Sequence, residues 1–171
     1  HRIDVTLLNA NQHPVILAED IAEDVRNYYG GSSGLKGITG IRHFQKITYQ
    51  DIYPQIDLLI QLITDQSGKF APKYSFIVNP GGDMSDIQLV YEGQTSLSLS
   101  ENRIEVYTSI GSLKDGSLVY FVGDENVSVT GKFLLKGNRV SFSPLKTDPS
   151  KKLIIDPQID YGTYFGSDSF D

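Results

Sequence analysis

Apolar and polar residues alternate with a period of two along most of this chain. Ile3, Val5 and Leu7 interleave with Arg2, Asp4 and Thr6. This predicts a half-buried strand, because successive side chains of an extended backbone point to opposite faces. The alternation recurs at 45–49, 56–62, 74–78, 87–91, 103–108, 118–122, 127–135, 139–142 and 153–155. Turn formers separate most of these runs. Lys136-Gly137-Asn138 and Ser100-Glu101-Asn102 each predict a hairpin, since Gly and Asn tolerate the positive φ of a tight turn. Tyr53-Pro54 and Asn79-Pro80-Gly81-Gly82 mark two further corners.

One segment breaks the rhythm. Over 18–29, Ile21, Val25 and Tyr28 line up as one helical stripe, with Glu19, Asp20, Glu23 and Asp24 suited to a helix N-terminus. A short helix is the candidate there, with a single turn or an extended loop as the alternatives, ahead of the Gly- and Ser-rich stretch 30–34. Asp83-Met84-Ser85-Asp86 predicts a brief helical turn. No fixed-period repeat appears, nor the strand–helix alternation of a parallel α/β sheet. The expected class is all-β: an antiparallel β-sandwich-like architecture with one short helix or helical turns.

The chain of 171 residues fits one ordinary domain, which buries roughly 68–70% of its unfolded surface without help from disulfides or metals. Cysteine is absent, which excludes thiolate catalysis and Cys-ligated zinc. The chain opens on His1, so it reads as a piece of a longer polypeptide, with any targeting segment upstream. No apolar run approaches the ~20 residues that cross a bilayer, so no membrane insertion is expected. Net charge is −6, although residues 131–157 carry six basic and two acidic side chains. An acidic chain without a dense basic stripe is a poor match for nucleic acid.

Candidate chemistry is sparse. His1, His13 and His43 show no metal-ligand spacing. Ser32 and Ser33 sit in a Gly-rich stretch without a nucleophile elbow or a phosphate-binding signature. A glycosidase needs two carboxyls facing each other roughly 5–9.5 Å apart, and no pair here is singled out by pattern. Asp51 and Asp57 flank Tyr53-Pro54, where an Asx side chain serves a turn. Asp83 and Asp86 are the candidate metal ligands, for calcium, because carboxylates in a Gly-rich loop are hard donors; capping a helical turn is the rival role. Tyr28 and Tyr29 are the candidate ligand-binding pair, as aromatic faces able to stack on a sugar. No catalytic residue and no required cofactor emerge.

Read in series, Asn27–Gly30, Phe44–Pro54, Ile56–Leu58, Tyr74–Gly81, Ile87–Gly93 and Leu153–Pro157 resemble an uncharacterised domain of large secreted, Bacteroidetes-type proteins. That domain stands ahead of β-propeller-type repeats, PKD-like domains or gliding-motility-associated C-terminal segments. Tyr161–Ser167 is similar to the opening of the first propeller repeat. Two positions depart from the family pattern: Gln55 stands where Gly usually follows the Tyr-Pro, and 31–43 lacks a Trp. The resemblance implies a β-rich module over 1–157, with 158–171 a linker or the start of a following repeat domain. It also implies further domain residues before His1, leaving the first strand short of a neighbour.

Together these readings set the functional expectation: a non-catalytic structural or adhesion-type module of a secreted or cell-surface protein, exported by the type IX route. Its expected partners are a glycan or surface protein and the adjacent repeat domain. The alternative is a carbohydrate-binding module attached to a secreted hydrolase.

Overall fold

The computed structural model describes residues 2–29, 37–64, 70–123, 127–146 and 148–160. Its strands are β1 (Asp4–Leu7), β2 (Val15–Tyr28), β3 (Ile38–Tyr53), β4 (Ile56–Thr64), β5 (Phe70–Val78), β6 (Leu89–Glu92), β7 (Ser96–Ser100), β8 (Arg103–Thr108), β9 (Gly111–Val122), β10 (Val127–Thr130), β11 (Phe133–Lys136), β12 (Arg139–Phe142) and β13 (Leu153–Asp160). A 3₁₀ turn, Met84–Asp86, precedes β6. The all-β, sandwich-like class predicted from alternation is what the chain adopts.

Among the described residues the strands form two antiparallel sheets. The smaller runs β1-β6-β12-β11, and the larger runs β2-β3-β4-β5-β13-β9-β8-β7. β10 pairs with the C-terminal half of β9, on the edge whose N-terminal half holds β8. Between the sheets lies the apolar core. Phe76 of the large sheet meets Phe142 of the small one edge-on, ring centroids 5.9 Å apart, and Phe133 tilts against Phe142 at 5.8 Å. Such pairs add about 0.5–1.5 kcal/mol beyond burial itself. Ile56, Ile87, Ile104 and Ile155 are fully enclosed around them.

The hairpin signals hold. Glu101 and Asn102 both take positive φ (51° and 59°) between β7 and β8, and Gly137 (64°) turns β11 into β12. The run 127–135, which reads as one strand, divides instead at Gly131. A β-carbon there would lie 2.6 Å from the Tyr120 ring and 2.7 Å from Leu118. Only a glycine lets the chain cross the core edge from the large sheet to the small one. Asn102 fixes the crossing: its Nδ2 donates to Gly131 O (2.7 Å) and its Oδ1 accepts from Phe133 N (2.9 Å).

The helix expected over 18–29 is a correction. That segment belongs to β2, paired along its length with β3. Ile21 faces Phe44 and Val25 faces Arg42, so four steps on β2 match two on β3. The i, i+4 spacing that mimics a helical stripe is thus a bulge, and Asp20 beside it takes φ 55°. A helix of about three turns is marginal in water, whereas the β3 ladder satisfies this backbone. The brief turn read at 83–86 is present as the 3₁₀ element.

Candidate functional site

Three places gather the residues that the sequence singles out. The first is a polar corner where the turn after Tyr53 meets Asn79 at the end of β5. Pro54 and Gln55 join β3 to β4, with Gln55 at φ 60°, the positive φ that a type II turn needs after Pro. Asp51 Oδ1 accepts from Gln55 N (3.2 Å), and Asp57 Oδ1 accepts from Asp51 N (2.9 Å). Asn79 closes the set: its Nδ2 donates to Asp57 Oδ2 (3.2 Å) and its backbone N–H to Gln55 O (2.8 Å). Asn11 joins from the other side, donating to Asp51 O through Nδ2 (3.2 Å) and to Ile52 O through its backbone (2.8 Å). These carboxylates are occupied in terminating strands. The two acids act as turn hydrogen-bond acceptors, the role the Tyr53-Pro54 context predicts.

The second place is an apolar groove of about 620 Å³ between the sheets. Ile3, Val5 and Leu7 form one wall, with Tyr49, Leu58 and Phe76 on the opposite sheet. Lys73 and Lys114 are the charged side chains in its lining, and each has a counter-ion. Lys73 Nζ lies 2.7 Å from Asp156 Oδ2, and Lys114 Nζ lies 3.0 Å from Glu105 Oε1. Asp156 is itself buried and accepts from Ser75 Oγ at 2.9 Å. The sequence gives little warning of this Ser75–Lys73–Asp156 cluster; the one signal is an acid directly after the apolar Leu153-Ile154-Ile155.

The third place is the far end of the β2–β3 ribbon. Tyr28 is 58% exposed and Tyr29 77% exposed. Tyr28 ends β2, and the Tyr29 ring lies over Gly37, where an added β-carbon would come within 3.3 Å of Cδ1. Adjacent residues of an extended strand project to opposite faces, so two neighbouring tyrosines do not by themselves make one flat platform. Ile38, beside Gly37 on the returning strand, is also well exposed.

Asp83 caps the 3₁₀ turn, its Oδ1 accepting from Ser85 N at 2.9 Å. The Ser85 hydroxyl, and then the Ser85 amide, hold its carboxyl below the ordinary carboxylate range. Asp86 lies in the same turn, its N–H donating to Asp83 O at 3.0 Å. Among the described residues, no group of three or more His, Cys, Asp or Glu could hold a metal ion. His13 is exposed, whereas His43 lies within β3, its Nε2 3.9 Å from an Asp24 carboxylate oxygen. His1, Ser32, Ser33 and 161–171 lie outside the described residues. No helix among the described residues is long and apolar enough to cross a membrane.

No curated protein and no solved structure matches this chain. A family model described as a domain of unknown function, DUF7948, matches residues 1–158. That span takes in the polar corner, the groove and the ribbon together. The chain belongs to the DUF7948 family.

Proposed function

We propose that this domain is a non-catalytic, extracellular structural or adhesion-type module of a large secreted or cell-surface protein. It works through its sheet edge and apolar faces. The observation that carries this reading is β2. It is the terminal strand of the large sheet and runs for 14 residues. Val15, Ile16, Leu17, Ile21 and Val25 are all well exposed along it. A long apolar edge presents backbone donors and acceptors beside side chains that gain by burial, which suits strand addition. The polar corner supports the same reading, because its acids are engaged in turn hydrogen bonds. Resemblance to modules that precede propeller-type repeats, and the type IX export it implies, supply the context: spacing and seating a downstream repeat domain over 158–171 and beyond. The test is to screen purified 1–171 against glycans, matrix proteins and cells. Saturable binding lost in Ile16→Lys/Val25→Lys agrees with the proposal; turnover of a substrate by the purified module overturns it.

A second reading rests on Tyr28 and Tyr29, whose exposure at the ribbon end suits stacking on a sugar ring. It makes the domain a carbohydrate-binding module attached to a secreted hydrolase. Glycan binding that disappears in Tyr28→Ala and Tyr29→Ala, and survives the β2 changes, favours this second reading over the first.

A further inference from the structure

The free edge of β2 has two unlike halves. From Val15 to Ile21 its pairing with β3 keeps one register, with Val15 opposite Gln50 and Ile21 opposite Phe44. The bulge follows. An added strand therefore meets a regular ladder only over Val15–Ile21, a length of about 23 Å at 3.3 Å per residue. Apolar side chains fill the first half: Val15, Ile16 and Leu17 are 61%, 58% and 41% exposed. Acids fill the second. Glu19 and Asp20 lie near the end of the regular run, Glu23 and Asp24 stand in the bulge just past it, and all four are exposed.

β3 answers part of this charge from the paired side. Lys46 Nζ lies 3.1 Å from Glu19 Oε2, and His43 Nε2 lies 3.9 Å from Asp24 Oδ2. Arg42 stands opposite Val25, and Arg26 follows on β2 itself. Among the described residues, Asp20 and Glu23 have no ion-pair partner. The open side of the edge is thus apolar at one end and acidic at the other. That order disfavours a second copy of this chain. Two β2 edges paired in parallel bring acid opposite acid, which is destabilising. Paired antiparallel about Ala18, Asp20 falls opposite Ile16 and Glu19 opposite Leu17, which sets carboxylates against apolar neighbours.

We propose that the partner of this edge is an extended segment of another protein, apolar in one half and basic in the other; this rests on the strand-addition reading of β2. The apolar half lies along Val15–Leu17. The half bearing Lys or Arg lies along Glu19 and Asp20, close to Glu23 and Asp24. Main-chain bonds give strand addition its general affinity, and the side chains beside them choose the partner. Apolar pairs and pairs of opposite charge across a ladder each favour the match. Charged side chains on a sheet edge also guard it against indiscriminate pairing. Here the acids stand at one end only, so the guard sorts incoming strands by their charge and by its position.

The experiment titrates chain 1–171 by calorimetry with the synthetic peptide Val-Ile-Val-Thr-Lys-Thr-Lys and with versions carrying Thr or Glu in place of both Lys. At about 0.01 M salt, where charges act over about 30 Å, the Lys peptide is expected to bind at least about tenfold more tightly than the Thr peptide, and the Glu peptide more weakly than either. At about 1 M salt, where that reach is about 3 Å, the Lys advantage should shrink to about twofold or less. Asp20→Asn/Glu23→Gln removes two charges, and Asn suits the positive φ of position 20 (55°). In that variant the Lys peptide is expected to fall to the affinity of the Thr peptide. Equal binding of all three peptides overturns the proposal but leaves strand addition at β2 standing. Binding of none overturns both. Sedimentation velocity showing that 1–171 self-associates, with the association lost in Ile16→Lys, also overturns the proposal and assigns the edge to a second copy.

Discussion

At the scale of single residues, polar groups here are held by geometry that can be probed one side chain at a time. Asp156 is buried against Ser75 with Lys73 as its counter-ion. Removing one partner of a buried pair strands a charge and typically costs about 3–5 kcal/mol. Lys73→Met is therefore expected to lower unfolding free energy by about that much, measured by urea denaturation. Adding Asp156→Leu should restore much of the loss, because the stranded charge goes with it. Gln55 is the opposite case. A non-glycine residue at φ 60° carries left-handed strain of roughly 1–2 kcal/mol, partly offset by the extra unfolded-state entropy of glycine. Gln55→Gly is expected to raise the unfolding free energy by about 0.5–1 kcal/mol; a loss of stability would show that the Gln side chain does more than fill the turn.

At the scale of elements, the sequence was legible wherever alternation ran uninterrupted between turn formers. β8 and β12 fall where the pattern puts them, because Arg103–Thr108 and Arg139–Phe142 each bury alternate residues on one face. β2 carries a helix-like pattern because a bulge between Ile21 and Val25 gives a strand the spacing of a helix, and local periodicity cannot tell the two apart. β7, Ser-Leu-Ser-Leu-Ser, gives only a weak strand signal because serine carries little strand preference. The corner acids are legible as turn residues, but their meeting with Asn79 is not, since Asn79 follows β5 and lies 22 residues beyond Asp57 in the chain. The groove left no local signal either, as its walls come from segments tens of residues apart. Gly131 tests the element account directly. Gly131→Ala places a methyl within 2.6 Å of the buried Tyr120 ring, and overpacking of this kind costs about 1–3 kcal/mol. Thermal unfolding should show the drop, with unchanged strand content by far-UV circular dichroism.

At the scale of the whole molecule, two phenols link the sheets to pH. Burial pushes the Tyr53 and Tyr120 hydroxyls above their ordinary range. Tyr53 donates to Leu8 O at 3.0 Å and Tyr120 to Ser143 O at 2.9 Å, bonds a phenolate cannot make. A folded-state pKa above the unfolded value means that stability is fully present below about pH 10 and declines as pH rises through the folded value. Urea midpoints should therefore hold up to about pH 9 and fall beyond about pH 10. In the double variant Tyr53→Phe/Tyr120→Phe that alkaline decline should be shallower.

The central claim of the proposed function is that the polar blocks around Asp51, Asp57 and Asn79 serve to build corners of a binding scaffold. Residues in active sites are commonly a burden on stability, so removing them tends to stabilise a protein. Asp57 accepts from Asp51 N–H and from Asn79 Nδ2, and hydrogen bonds to charged groups contribute about 1.5–3 kcal/mol. The most direct measurement is the urea-unfolding free energy of Asp57→Ala beside that of the parent chain. The scaffold account predicts a loss of about 1.5–3 kcal/mol; an unchanged or increased stability would contradict it and mark Asp57 as a residue kept for reaction.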